Sequence, residues 1–227
     1  MATISVLTVT KRSGWEELAK ASLRAQTYRD FEWIVVAEDY FMYVPGASTY
    51  QAPPQIRVSN LNRSLNEGLR HCNGKLVMFY QDFIELEPNT LQKLHNDYLE
   101  TGGFITTATI NPDGKKDARY LGVDTLRPCI PEEWEANVAL APLDALKELG
   151  GFDESYDKGW SWDNVNLAER AALLGYKFFL DETIQPKLHF HEKEPDLNPS
   201  LIANGEYHAK VMREIQEGTR PLKVNYL

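Results

Sequence analysis

The sequence predicts an α/β fold in which a mainly parallel sheet, flanked by helices, becomes mixed in its second half. Three observations carry this. Strand-like and helix-like segments alternate through the first half of the chain. Leu76-Val77-Met78-Phe79-Tyr80 is an unbroken apolar run of strand length, as a strand buried on both faces requires. After Phe104 the simple alternation lapses, so the later strands are expected to join in mixed orientation.

In order, Ile4 to Thr10 reads as a buried strand, and Trp15 to Ala25 as a helix with Leu18, Ala19, Ser22 and Leu23 near one face. Trp33 to Val36 is a second strand, and Phe41 to Pro54 is a loop, because it carries Pro45, Gly46, Pro53 and Pro54 without a period. Ile56 to Ser59 is read as a short third strand. Leu61, Leu65 and Leu69 recur at every fourth position, which marks a helix over residues 61–71 that Asn73-Gly74 ends. Pro88 opens a helix running to Tyr98. Strands are expected at Phe104 to Ile110, Val138 to Ala141, Lys177 to Leu180 and Ile184 to Phe190. Helices are expected at Leu143 to Leu149, Val165 to Leu174 and Leu201 to Glu217. Glu194 to Pro199, with Pro at positions 195 and 199, reads as a linker. The expected organisation is one domain over residues 1–193, with halves of about 1–100 and 101–193, followed by a linker and C-terminal helix over 194–227.

The chain has 227 residues, 43% hydrophobic and 25% charged, which excludes a largely disordered protein. With 33 acidic against 24 basic residues the formal charge is -9, so a nucleic acid partner is not expected. An anionic nucleotide would need local help from Lys, Arg or a cation. Cys72 and Cys129 have no metal-type spacing and read as free thiols. The apolar run at Ile4 is too short and Thr-rich for a secretion signal, and no run approaches the ~20 apolar residues of a spanning helix. A cytoplasmic protein is expected, with docking to a membrane surface left open.

Polar groups collect after strand ends: Thr8, Thr10 and Lys11, then Glu38 and Asp39, then Gln81 and Asp82. Ligands bind at this rim in open α/β sheets. Taken alone, Glu38 and Asp39 read first as solvated turn carboxylates and only second as acceptors for a base or ribose. Asp82 lies among Phe79, Tyr80, Phe83 and Ile84, where a carboxylate needs a metal, an Arg or a backbone cap. Gly159-Trp160-Ser161-Trp162-Asp163-Asn164 puts a carboxylate beside two indoles just ahead of a helix. Asp163 there is either a helix cap or a general base, and the indoles suit a sugar face. His189 and His191 fall on one face of a strand, as two metal ligands or as a surface pair. Walker, dinucleotide-binding, zinc-protease and nucleophile-elbow motifs are absent, which removes most support for phosphate-loop and nicotinamide chemistry.

Four stretches together resemble the family 2 glycosyltransferases of GT-A fold: Ile4 to Arg12 with Ser22 to Val36, including Gln26-Thr27-Tyr28; Asn62 to Gly68 with Gly74 and the strand ending at Asp82; Gly150-Gly151-Phe152-Asp153-Glu154; and Trp162 to Arg170. The resemblance implies a Rossmann-like donor half, a more variable acceptor half and inverting transfer from a nucleoside-diphosphate sugar, UDP favoured. It implies Thr8, Thr10, Lys11, Glu38, Asp39, Asn66, Gln81 and Asp82 at the donor, Trp160 and Trp162 at the acceptor, and Asp163 as base. It also implies Mn2+ or Mg2+ on Asp82 with His189 or His191.

Two departures bear on the chemistry. The usual Asp-x-Asp position reads Gln81-Asp82-Phe83, leaving one carboxylate, and the usual Glu-Asp pair reads Asp163-Asn164 with Asn166 beyond it. These eroded motifs motivate the alternative of a non-catalytic module that binds a nucleotide sugar or glycan. A nucleotidyltransferase is a third class, supported only by Lys11-Arg12-Ser13-Gly14 as a thin basic loop.

Overall fold

A computed structural model of the chain describes residues 2–11, 14–37, 44–55, 57, 59–189 and 198–227. Strands β1 (Ile4–Thr10), β2 (Phe31–Ala37), β3 (Ser48–Gln51) and β4 (Leu76–Tyr80) are parallel neighbours in the order β3-β2-β1-β4. β5 (Ile84–Glu85) lies apart from this sheet. The sheet continues beyond β4 through β8 (Val138–Pro142), β6 (Phe104–Thr107), β9 (Phe178–Asp181) and β7 (Leu126–Cys129). Here β8 is antiparallel to β4 and β6, β6 is parallel to β9, and β7 is antiparallel to β9. The expected change from parallel to mixed pairing is therefore observed.

Helices cover both faces of the sheet. On one side α1 (Glu16–Ala25) and α3 (Thr90–Thr101) pack Leu23, Leu91 and Leu94 over Ile4, Val6, Met78 and Leu140. On the other, α2 (Leu61–His71), α4 (Leu143–Leu149) and α5 (Asp163–Leu173) pack Leu65, Leu146 and Leu167 over Leu7, Val77, Phe79 and Ala141. The split follows from the strand period, which sends Val6 and Leu7 to opposite faces. All five residues of β4 are buried, as its unbroken apolar run requires.

The third strand differs from expectation. It is Ser48–Gln51, inside the stretch read as a loop, while Arg57 and Ser59 are not in a strand. β3 is an edge strand with neither face fully buried, so its side chains carry no apolar alternation to read. The late strand expected over 184–190 shrinks to β10 (Lys187–Leu188), paired with β5, because Pro186 lacks the N–H a ladder needs. Phe190 and residues 194–197 lie outside the described residues.

The C-terminal segment is part of the packed body. Helix α6 (Asn198–Gln216) buries Asn204, His208, Val211 and Met212. Beyond it, Val224 N–H donates to Leu149 O at 3.0 Å and Tyr226 N–H to Gly150 O at 3.2 Å. Gly150 has φ +74°, and a Cβ there would lie 1.6 Å from Val224 O, so glycine is required for the tail to seat. Among the described residues no helix is long and apolar enough to cross a membrane, and Cys72 and Cys129 are free thiols.

Glu182, fully buried just after β9, fixes the loop that leads into β7. Its Oε1 accepts from Leu121 N–H at 2.9 Å and Arg127 Nε at 3.1 Å, and its Oε2 from Val123 N–H at 2.9 Å and Asp124 N–H at 3.2 Å. Burial pushes this carboxyl up, but the four donors outweigh it and hold it down at about 2. Its contribution to stability is therefore complete above the unfolded carboxyl value of about 4.3 and is lost as pH falls toward 2. Glu182→Gln is expected to cost about 1.5–3 kcal/mol at neutral pH and to flatten the acid limb. Urea midpoints of both proteins at pH 6 and pH 3 measure this.

Candidate active site

The rim at the carboxyl ends of β1 and β4 is built on one buried hydrogen bond. Thr10 Oγ1 donates to Asp82 Oδ2 at 2.6 Å, joining two residues 72 apart in sequence across neighbouring parallel strands. Asp82 is 1% exposed. The adjacent Gln81 donates its N–H to Asn137 O at 3.0 Å, which ties the end of β4 to the start of β8. Lys11, the residue after Thr10, holds its Nζ 5.4 Å from the centre of the Trp160 ring. The end of β1 thus meets the loop from Trp160 to Asp163.

That loop is strained. Ser161 (φ +69°) and Trp162 (φ +71°) are successive non-glycine residues in the left-handed region, a conformation that costs about 1–3 kcal/mol per residue and clusters at functional sites. The turn delivers Asp163 to the first position of α5, 7% exposed. Burial pushes its carboxyl up, the N–H groups of Asn164 and Asp163 itself pull it back, Asp157 pushes it up and Asn62 pulls it back; the result is about 6. A carboxylate held there is ionised at neutral pH and more basic than an ordinary aspartate.

Asp157, in the short 3₁₀ turn Glu154–Lys158, is fully buried beside it. Its Oδ1 accepts from Asn62 N–H at 2.9 Å and Asn62 Nδ2 at 3.0 Å, and its Oδ2 from Arg63 N–H at 3.1 Å. It therefore satisfies the first turn of α2, whose leading N–H groups have no partner within the helix. The Asn62 amide donates to Asp157 and also draws the Asp163 carboxyl down, so one side chain acts on both carboxylates.

Three expected contacts take other roles. Thr8 is fully buried, and its hydroxyl accepts from Trp33 Nε1 at 3.1 Å within the core instead of facing a donor. Asn66 is also fully buried. Its Oδ1 accepts from Phe152 N–H at 2.9 Å and its Nδ2 donates to Phe152 O at 3.0 Å, so its amide clamps the segment after Gly151. Trp162 turns one face to His208, with ring centres 5.0 Å apart and 27° between planes, while Trp160 stays on the rim with Lys11. Glu38, Asp39 and His191 lie outside the described residues.

No protein-family model matches the sequence, and no curated protein matches it. Solved structures do. S. aureus TarS in complex with UDP-GlcNAc superposes with a TM-score of 0.67 at 15% identity, over 86% of this chain and 60% of that one. GalNAc-T7 with UDP, GalNAc and Mn2+ superposes with a TM-score of 0.66 at 13% identity, over 85% of this chain and 45% of that one. The chain has the GT-A fold. It spans only 37% of a longer TarS structure.

On this GT-A fold the expected metal ligands are only partly brought together. His189 donates its backbone N–H to Phe83 O at 2.8 Å, which places it beside the end of β4. Its imidazole, however, lies 2.9 Å from Glu85 Oε2, half-exposed, instead of joining Asp82. Among the described residues no three His, Cys, Asp or Glu side chains gather as a metal site. One carboxylate bonded to Thr10 does not by itself make a divalent-metal cage. Sequence reasoning missed Asp157 and Asn62. The available signal was the unpartnered N–H groups opening the Leu61 helix, which demand an acceptor from elsewhere in this GT-A fold.

Proposed function

We propose that this protein transfers a sugar from a nucleoside-diphosphate sugar, a UDP-sugar first among candidates, to a hydroxyl acceptor with inversion. The observation that carries the proposal is the continuity of the rim: Asp82 bonded to Thr10, and Lys11 after it touching the Trp160 loop that ends in Asp163. Fold likeness to UDP-bound and UDP-GlcNAc-bound structures supports a nucleotide at these strand ends. Lys11 brings positive charge toward the departing diphosphate. Asp163 takes the acceptor hydroxyl's proton as its oxygen forms the new bond to the anomeric carbon. The bond from that carbon to the diphosphate oxygen breaks on the opposite face, and the diphosphate leaves with the electron pair.

Domain organisation is proposed as one donor–acceptor unit over residues 1–193, with 194–227 as an extension folded back onto it. Mn2+ or Mg2+ at Asp82 remains part of the proposal, supported by that one carboxylate and by the Mn2+ in the GalNAc-T7 structure. No step above depends on it.

Thermal unfolding with UDP, with and without manganese, tests the reading. UDP at 100 times its Kd is expected to add about 2.7 kcal/mol of apparent stability, with a further shift in manganese that Asp82→Asn removes. An equal shift with and without manganese would strike the metal from the proposal and leave the transfer. No shift with any nucleoside diphosphate would sink the transfer itself.

A further inference from the structure

The strained Ser161-Trp162 turn is held from outside its own segment. Asn204, on α6 and 3% exposed, directs its Nδ2 at three carbonyls of the turn region: Tyr156 O at 3.0 Å, Ser161 O at 3.1 Å and Trp160 O at 3.2 Å. Trp160 O and Ser161 O belong to the left-handed turn itself, and Tyr156 O to the short 3₁₀ turn that precedes it. The next residue, Gly205, lets the helix approach Trp162, since a Cβ there would lie 3.2 Å from Trp162 Nε1. One turn on, His208 also stacks on Trp162, accepts or donates at 3.1 Å with Tyr156 Oη, and stands 3.3 Å from Glu169 Oε2 on α5. Residues 204, 205 and 208 share one face of α6, and that face is fitted to the turn.

We infer that Asn204 is a positioning residue: through the Trp160 and Ser161 carbonyls it fixes the turn that delivers Asp163, which makes the C-terminal helix a working part of the acceptor half. A polar side chain supplying only bulk would not gather three carbonyls. A left-handed pair of non-glycine residues also persists only where its surroundings over-determine it. The inference rests on the transferase reading for its catalytic consequence, but not for its structural one.

The test compares wild type with Asn204→Ala, Asn204→Asp and Gly205→Ala. Amide hydrogen exchange over residues 160–164 is the first readout, and hydrolysis of UDP-GlcNAc by water is the second. Asn204→Ala is expected to speed exchange in that segment about tenfold or more. It should lower kcat about 10- to 100-fold with KM for UDP-GlcNAc within about twofold, because placement and not donor binding is lost. Asn204→Asp has the same shape but faces three carbonyls with charge, so it should be worse than Ala. Should the Asn204 variants fail to fold, Gly205→Ala, which crowds Trp162 by only tenths of an ångström, is expected to speed the same exchange severalfold. Unchanged exchange at 160–164 in every folded variant, or an Asn204→Asp protein equal to wild type, would overturn the inference. A wild type that binds no nucleoside diphosphate would instead overturn the transferase reading, and the exchange result would still decide whether Asn204 holds the turn.

Discussion

Asp163→Asn is expected to lower sugar transfer about 10²- to 10⁴-fold, the usual worth of a general base, while UDP binds as to the wild type. The amide keeps the size of the side chain and its place at the start of α5, but it has no basic oxygen for a hydroxyl proton. The same substitution is expected to raise thermal stability at pH 7.5. Burial is the main reason the Asp163 carboxyl stands at about 6, so its ionised form is disfavoured in the fold relative to an unfolded aspartate near 3.9. The sign follows directly. Between about pH 4 and 6 the folded protein holds the extra proton and gains stability as pH falls, whereas above 6 it carries the full cost of a buried charge. Removing that charge should return on the order of 1 kcal/mol. Loss of activity with a gain in stability is the mark of a residue kept for chemistry, whereas a plain helix cap predicts little change in stability, because asparagine caps about as well as aspartate. In the wild type, kcat/KM should fall about tenfold per unit of pH below 6 as the base is protonated. A stopped UDP-release assay and a melting curve on the same preparations measure both.

Arg170→Leu is expected to destabilise the protein by about 3–5 kcal/mol, because one buried guanidinium serves four neutral oxygens that would lose their donor together. Arg170 is 1% exposed on α5. Its Nη1 donates to Leu149 O at 3.0 Å and Leu222 O at 3.4 Å, its Nη2 to Gly151 O at 2.8 Å, and its Nε to Asn166 Oδ1 at 2.9 Å. One guanidinium thus pins the turn after α4, the C-terminal tail and its own helix. Burial draws its pKa down to about 10, which leaves it charged at neutral pH. Leucine would refill the volume and take the guanidinium donors from the Gly151 and Leu222 carbonyls, each costing about 1–3 kcal/mol, while Leu149 O would keep only the Val224 N–H. Lysine should not rescue, because a single ammonium cannot span those directions. Denaturant midpoints of the three proteins give the comparison.

The elements of the first half, its third strand apart, were legible because each strand and helix advertised its own burial. The bounds of α2, β4 and α4 follow from Leu spacing, an unbroken apolar run and a terminating glycine. β3 was illegible for the converse reason, as an edge strand with polar side chains shows no period. At the candidate site, the sequence put Thr10 and Asp82 on one rim of strand ends, and the two side chains do meet there. It could not say that Asn66 would clamp Phe152, that Asp157 would cap α2, or that α6 would hold the Trp160 turn. Those contacts join residues 44 to 95 positions apart. Periodicity reports which face of an element is buried, not what lies against it. The substitutions Gln81, Phe83 and Asn164 at the motif positions likewise show what is missing, while only the structure shows that His189 is turned to Glu85.

The most direct test of the proposed site is backbone amide chemical-shift mapping of UDP-GlcNAc on the intact chain. The rim account predicts that the largest shifts cluster at Thr10, Lys11, Asp82 and Phe83, with smaller ones at Trp160, and that Asp82→Asn weakens them together. Shifts centred instead on the groove formed by Lys20, Arg24, Arg29 and Phe31, where β2 begins, or no shifts at saturating ligand, would contradict it.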